Sequence, residues 1–171
     1  MEILNDFSTN IIRALSEIDP NWRDYEGLII CGTHNPHDTE DMIEKIKKAR
    51  ENNLPTLLIC FGHQLGWIEY CRSVLGIKDA TSEEFGQGTF VVKRRKERKI
   101  GLHEGESWWS YFECDRSFIK TTKVDVVGEA YFYITKNYPY EISVPYHPEY
   151  QSFKGKPHPL LVKFLYLCSV K

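Results

Sequence analysis

A cysteine set between a buried strand and a helix, and a histidine two residues before a glutamate, supply the side chains that cleave amides by acyl transfer. This chain has both. Cys60 follows the apolar run LLI and precedes a helical pattern in LLICFGHQLG (57–66). A residue at that junction sits on a tight turn, with Gly62 two positions later to let the chain bend. The adjoining helix N-terminus favours a thiolate and leaves backbone N–H groups free to hold an oxyanion. A lone strand-end cysteine is ordinarily a core residue. A second segment, VPYHPEYQSFKGKPHPLL (144–161), gives Cys60 a chemical context. A thiol nucleophile needs a base that accepts its proton and later gives it to the leaving amine, and that base needs an acceptor to fix its tautomer. In extended chain, residues two apart face the same way, so His147 and Glu149 can enter one site.

These side chains require elements to carry them. GLIICG (27–32) and PTLLIC (55–60) read as buried strands. Between them Thr39 is placed as the N-cap of a helix, with Glu40 and Asp41 in its first turn, Met42, Ile43, Ile46 and Ala49 along one face, and Lys47, Lys48 and Arg50 at its end. Strand, helix, strand in this span is a βαβ unit with parallel strands. A second helix carries Leu65, Ile68, Arg72 and Leu75 and stops at Gly76. TFVV (89–92), KIGL (99–102), VDVV (124–127) and AYFYIT (130–135) read as further strands, and His158 to Val170 as a last helix.

The chain has 171 residues, 22 basic against 24 acidic side chains and a net charge of -2, so one domain over 1–171 is expected and a general polyanion binder is not. Nucleic acid is thus an unexpected partner. No apolar run is long enough to span a bilayer and the first residues do not form a signal peptide, which points to a cytoplasmic protein without a membrane partner. The five cysteines form no CxxC pair. Cys31, His34, His37 and Asp38 are all ligand types, but their spacing fits no zinc pattern, and neither metal nor cofactor is expected.

With these residues in view, the chain resembles a class I glutamine amidotransferase domain, in particular the glutaminase domain at the C-terminus of CTP synthases. The match lies in residues 47–85, with the C-x-G-x-Q elbow and the SEEF segment (82–85), in YHPEYQSFKGKPHPLL (146–161), and more weakly in Gly27–Ile43 and KIGLHE. The resemblance implies an α/β fold, a mostly parallel central sheet flanked by helices (flavodoxin-like), shortened at the N-terminus, where the first strand is absent or reduced to Ile3 and Leu4. It implies that Cys60 attacks the glutamine side-chain amide to form a glutamyl thioester and release ammonia, with His147 as base and acid and Glu149 orienting it. Gln64 and Glu84 would bind glutamine, Glu84 at the α-ammonium group. Phe61 and the Gly32–Thr33 turn would form the oxyanion hole.

The chain departs from that pattern in three places. Thr33 stands where a second glycine is usual, a poor occupant if the turn needs positive φ. GESWWSYFECDRSF (105–118) replaces an arginine- and histidine-rich loop, and its aromatics suit either a core or a docking surface. KRRKERK (93–99) reads as a solvated hairpin tip or charged edge strand, or as a contact for an acidic partner or phosphate. The expected activity is a stand-alone glutaminase feeding ammonia to a separate synthetase, with a nucleotide or nucleobase as acceptor. The alternatives are a γ-glutamyl amide or peptide hydrolase with the same triad, and a non-catalytic scaffold.

Overall fold

The computed structural model describes residues 1–118, 124–127, 130–135 and 138–170, with side chains for 1–118 and 141–170. In chain order the elements are β1 (Glu2–Leu4), α1 (Ser8–Ile18), β2 (Leu28–Ile30), α2 (Thr39–Glu51), β3 (Thr56–Ile59), α3 (Phe61–Ser73), β4 (Ala80–Ser82), β5 (Thr89–His103), β6 (Glu106–Cys114), β7 (Val124–Val127), β8 (Ala130–Thr135), β9 (Tyr138–Val144) and α4 (Pro159–Ser169). One sheet has the order β1-β2-β3-β9-β8-β7. Its β1-β2, β2-β3 and β3-β9 pairs are parallel and its last two antiparallel. The first strand is therefore present, reduced to three residues and paired along all of them with β2.

Alternation along the central strands divides the core in two. Leu28, Ile30 and Leu58 face a cluster with Met42, Ile43, Ile46, Leu65 and Ile68, from α2 and α3. Ile29, Leu57, Ile59, Ile142 and Val144 face the other way, onto Ile11, Leu15, Leu161 and Phe164, from α1 and α4. Strands buried on both faces must be apolar throughout, which is why GLIICG and PTLLIC lack the polar alternation of a surface strand.

Several boundaries differ from expectation. Asp38 occupies the N-cap of α2 in the left-handed region and no side chain caps the helix, because Thr39 is already its first residue. Helix α3 ends at Ser73, and Gly76, at φ +76°, lies in the turn beyond. TFVV and KIGL are one strand, β5, broken by a bulge between Arg94 and Lys99 and paired with β6 on both sides of it. Together with β4 they make a second sheet, ordered β4-β5-β6. The basic run therefore lies in a central strand, with the hairpin tip beyond it at Glu104 and Gly105. Its charges are held locally: Lys93 pairs with Asp115 at 2.9 Å, Arg95 with Glu113 at 3.3 Å, and Lys99 lies 4.2 Å from the ring of Trp108.

A polar cluster is buried beside α3. Arg50 grips Glu69 at 2.8 Å, and Glu141 on β9 lies next to them. Burial and, less strongly, the charge of Glu69 push the Glu141 carboxyl up to about 8, with Arg50 pulling the other way. A folded value above the ordinary 4.5 means that the stability present at acid pH is lost as pH rises toward 8. Glu141→Gln is thus expected to gain stability relative to the parent between pH 5 and 9, by about 2–4 kcal/mol at the alkaline end. Urea melts of both proteins across that range would measure it. A constant difference between them would refute it.

Candidate active site

Cys60 is held at φ +54°, ψ -102°, between β3 and α3. A non-glycine residue persists there only when its surroundings fix it. Here its N–H donates to Val144 O at 2.8 Å, tying the turn to β9, and α3 starts immediately after it. The unusual backbone thus falls on the cysteine itself. Gly62 is not in the left-handed region; it is needed because a Cβ there would lie 2.2 Å from Ile30 O. The missing side chain lets α3 seat on β2 and point its N-terminus at the end of the sheet.

His147 and Glu149 follow β9, the strand that neighbours β3. His147 Nδ1 and Glu149 Oε1 are 2.7 Å apart, and both side chains are buried. They meet through a 3-10 turn, Pro148–Gln151, rather than through extended chain, so the reason given for their proximity changes while the proximity stands. Arg13 on α1 holds this turn from outside, donating to Glu149 O and Ser152 O at 3.0 Å each. With Nδ1 taken by Glu149, the far side of the ring faces Cys60. Burial opposes charge on His147, but its hydrogen bonds to Cys60 and Glu149, and the charges of both, hold its pKa up at about 10. The proton is therefore at home on the imidazole at neutral pH, which is the charge state that supports a thiolate beside it. Glu149 Oε2 is buried with no hydrogen-bond partner among the described residues.

Gly32 packs into the same space: a Cβ there would lie 3.0 Å from His147 Cε1 and 3.4 Å from Cys60 Cβ. Thr33 avoids positive φ and so carries none of the expected strain. Its hydroxyl donates to Asp6 at 2.6 Å and accepts from Asn35 N–H at 3.0 Å. Cys60, Phe61, Gln64, Glu84, Thr33 and His147 all line one cavity of about 690 Å³. Gln64 Oε1 accepts from Ser82 at 3.3 Å, and its amide N–H donates to Glu84. Burial pushes the Glu84 carboxyl up, while Gln64 and the Arg94 charge oppose this; its Oε2 is buried without a partner among the described residues.

Sequence reasoning missed the roof of the site. Ser107 O accepts from His147 N–H at 2.8 Å, and Trp109 O lies 3.6 Å from Cys60 Sγ, so β6 crosses over the cysteine. These are backbone groups, which residue type does not announce. The aromatics of this segment divide by strand alternation: Trp108 and Phe112 are buried, whereas Trp109 is 48% exposed at the cavity mouth. His34 stacks edge-on between Phe7, at 4.8 Å, and Trp109, at 5.9 Å. His37 turns to Asn35 O and Cys31 is in the core. No three metal-ligating side chains converge among the described residues. Nor, among those residues, is any helix long and apolar enough to cross a membrane.

The family model described as glutamine amidotransferase class-I matches residues 4–167. CTP synthase of Methanoculleus marisnigri is 30% identical over 205 residues, and that of Thermotoga maritima 31% over 182, covering 91% and 81% of this chain. The chain spans only 38% and 35% of those relatives' length. Among solved structures, the glutaminase domain of Trypanosoma brucei CTPS with bound acivicin superposes with a TM-score of 0.80 at 16% identity, covering 99% of this chain and 92% of that one.

Proposed function

The chain belongs to the class-I glutamine amidotransferase family, and on that premise we propose that it hydrolyses glutamine through a thioester on Cys60. The observation that carries this reading is the buried Glu149–His147 pair, set against a cysteine whose backbone is held at φ +54°. Cys60 Sγ attacks the amide carbon of the substrate side chain, and a C–S bond forms as the carbonyl oxygen becomes an oxyanion. Stabilisation of its charge is assigned to Phe61 N–H, at the start of α3, and to the Gly32–Thr33 turn. His147 delivers its proton to the amide nitrogen, the C–N bond breaks and ammonia leaves. Water then attacks the thioester; His147 takes its proton, the C–S bond breaks, and glutamate departs with Cys60 restored. Gln64 and Glu84 hold the amino-acid end of the substrate, Glu84 at its ammonium group.

Residues 1–171 carry no P-loop, so the step that consumes ammonia is assigned to a synthetase site outside them. The reading is a separate synthetase chain, with the similarity to CTP synthases favouring a nucleotide or nucleobase acceptor. A compartment follows from the same reading: a glutaminase that serves such a synthetase works in the cytoplasm.

Cys60→Ala is expected to abolish release of glutamate and ammonia, a loss of at least about a thousandfold, while the melting temperature stays near that of the parent. Turnover that survives the substitution would overturn the mechanism. A second reading, a γ-glutamyl amide or peptide hydrolase, is favoured by a cavity of about 690 Å³, larger than a single glutamine requires. Faster Cys60-dependent cleavage of γ-glutamyl dipeptides than of glutamine would establish it.

A further inference from the structure

Four aromatic rings from separate parts of the chain meet on the His147 side of the cavity. Phe7 precedes α1, His34 follows β2, Trp109 lies on β6, and Tyr150 shares the 3-10 turn that follows His147. Their spacing is continuous: the His147 ring is 6.0 Å from Phe7 and 5.4 Å from Tyr150, Phe7 is 4.8 Å from His34, and His34 is 5.9 Å from Trp109. All four line the Cys60 cavity. His34, Trp109 and Tyr150 are all exposed, so this wall offers ring surface that the chain itself does not cover.

The wall adjoins the group that protonates the departing nitrogen. Gln64 and Glu84 take the amino-acid end of the substrate, so whatever the amide nitrogen carries lies beside His147. Ammonia is a single heavy atom and makes no use of rings that run from His147 out to the cavity mouth. At about 690 Å³ the cavity falls within the range of sites for larger ligands, roughly 300–1,000 Å³. The chemistry of the wall also says what kind of group it takes. Glu84, just past β4, and Arg94, on β5, are the carboxylate and the guanidinium among the described lining residues, and the four rings bring neither. His147 already holds a positive charge next to them, which repels a second cation.

We propose that Phe7, His34, Trp109 and Tyr150 form a subsite for the leaving amine, and that the chain cleaves γ-glutamyl amides whose nitrogen bears an uncharged aromatic or apolar group. The steps keep their balance. Cys60 Sγ bonds to the amide carbon, the C–N bond breaks, and the amine departs with the His147 proton as R–NH2 in place of ammonia. Water then cleaves the thioester and restores Cys60. Binding of the substituent among the rings holds the scissile nitrogen next to its proton donor, so the subsite acts on positioning as well as on affinity. The inference rests on the acyl-transfer reading of Cys60 and names the amine that the amide-hydrolase reading leaves open.

Binding and turnover are measured separately. Calorimetric titration of the Cys60→Ala protein compares γ-N-benzyl-L-glutamine with γ-N-methyl-L-glutamine, and the benzyl amide is expected to bind at least about tenfold more tightly. Both leaving groups are primary alkylamines, so in the parent protein the same contrast reads the ring and not the bond. There, kcat/KM for release of benzylamine should exceed that for methylamine by at least about tenfold. His34→Ala, in an exposed loop where folding is not at stake, should cut the benzyl-to-methyl ratio at least about threefold, and Trp109→Ala should do the same. The ratio is internal to each protein, so a general loss of activity does not move it. Equal affinity for the two amides, a ratio that both substitutions leave intact, or tighter binding of γ-N-(2-aminoethyl)-L-glutamine than of the benzyl amide overturns the assignment. Failure of the acyl-transfer reading appears instead as absent Cys60-dependent turnover of glutamine and of both amides, with the titrations still deciding whether the subsite exists.

Discussion

Replacing Glu149 with glutamine is expected to lower kcat/KM for glutamine by roughly a hundred- to ten-thousandfold with little change in fold. Glutamine keeps the size of the side chain and its reach to His147 Nδ1, but it removes a charge that holds the imidazole protonated and oriented. The turn around residue 149 should stay in place, because Arg13 binds the backbone carbonyl there and not the carboxylate. The substitution also has a signature in pH. Glu149 is one of two groups that raise His147 above its ordinary value, so removing its charge lets His147 lose its proton at lower pH. If the active state is the one with His147 protonated, the alkaline limb of the kcat/KM profile moves to lower pH in the variant. A profile that keeps its alkaline limb, with activity within a few-fold of the parent, would show that Glu149 does not govern the histidine.

The second large effect is expected at Gly62, where no reacting group is touched. Alanine would put a methyl 2.2 Å from Ile30 O and 3.0 Å from Ile30 C. Backbone in the centre of a buried sheet cannot rotate away, so α3 must lift off β2 and carry Cys60 with it. Overpacking of this kind costs about 1–3 kcal/mol or more. Displacement of a nucleophile by about 1 Å is enough to cost roughly a hundredfold in rate. Gly62→Ala should therefore lose both stability and turnover, read by a urea melt and a glutaminase assay on the same preparation. Gly66→Ala supplies the control. It too creates a short contact, 2.4 Å, but with Leu58 Cδ1, the end of a side chain that can change rotamer. If the two variants behave alike, backbone contact at Ile30 is not what demands glycine at 62.

The parts of the molecule that could be read from the sequence depend on side-chain type and local period. Buried parallel strands and their crossover helix announce themselves through apolar runs and amphipathic spacing, and Cys60, His147 and Glu149 through chemistry that few other residue types provide. What could not be read depends on long-range backbone geometry. The β6 carbonyls of Ser107 and Trp109 that close over the site are the same in every residue, and the bulge that fuses TFVV and KIGL into β5 has no composition of its own. Nothing in the type or spacing of Arg13 marks it; only its distance to residues 149 and 152 shows that it braces the turn. The basic run 93–99 reads as one feature in the sequence, whereas cross-strand pairing with β6 sends its charges to separate destinations. Gly62 was noted for the wrong physical reason, conformational freedom instead of close approach.

The position of Trp109 has an optical consequence. Of the four tryptophans, Trp22, Trp67 and Trp108 are buried, while Trp109 stands half in solvent at the cavity mouth with His34 5.9 Å from its ring. Its emission should lie to the red of the three shielded indoles and respond to soluble quenchers that do not reach them. A small molecule entering beneath β6 displaces water from that one fluorophore, so the chain reports the filling of its own site in its intrinsic spectrum, without a label.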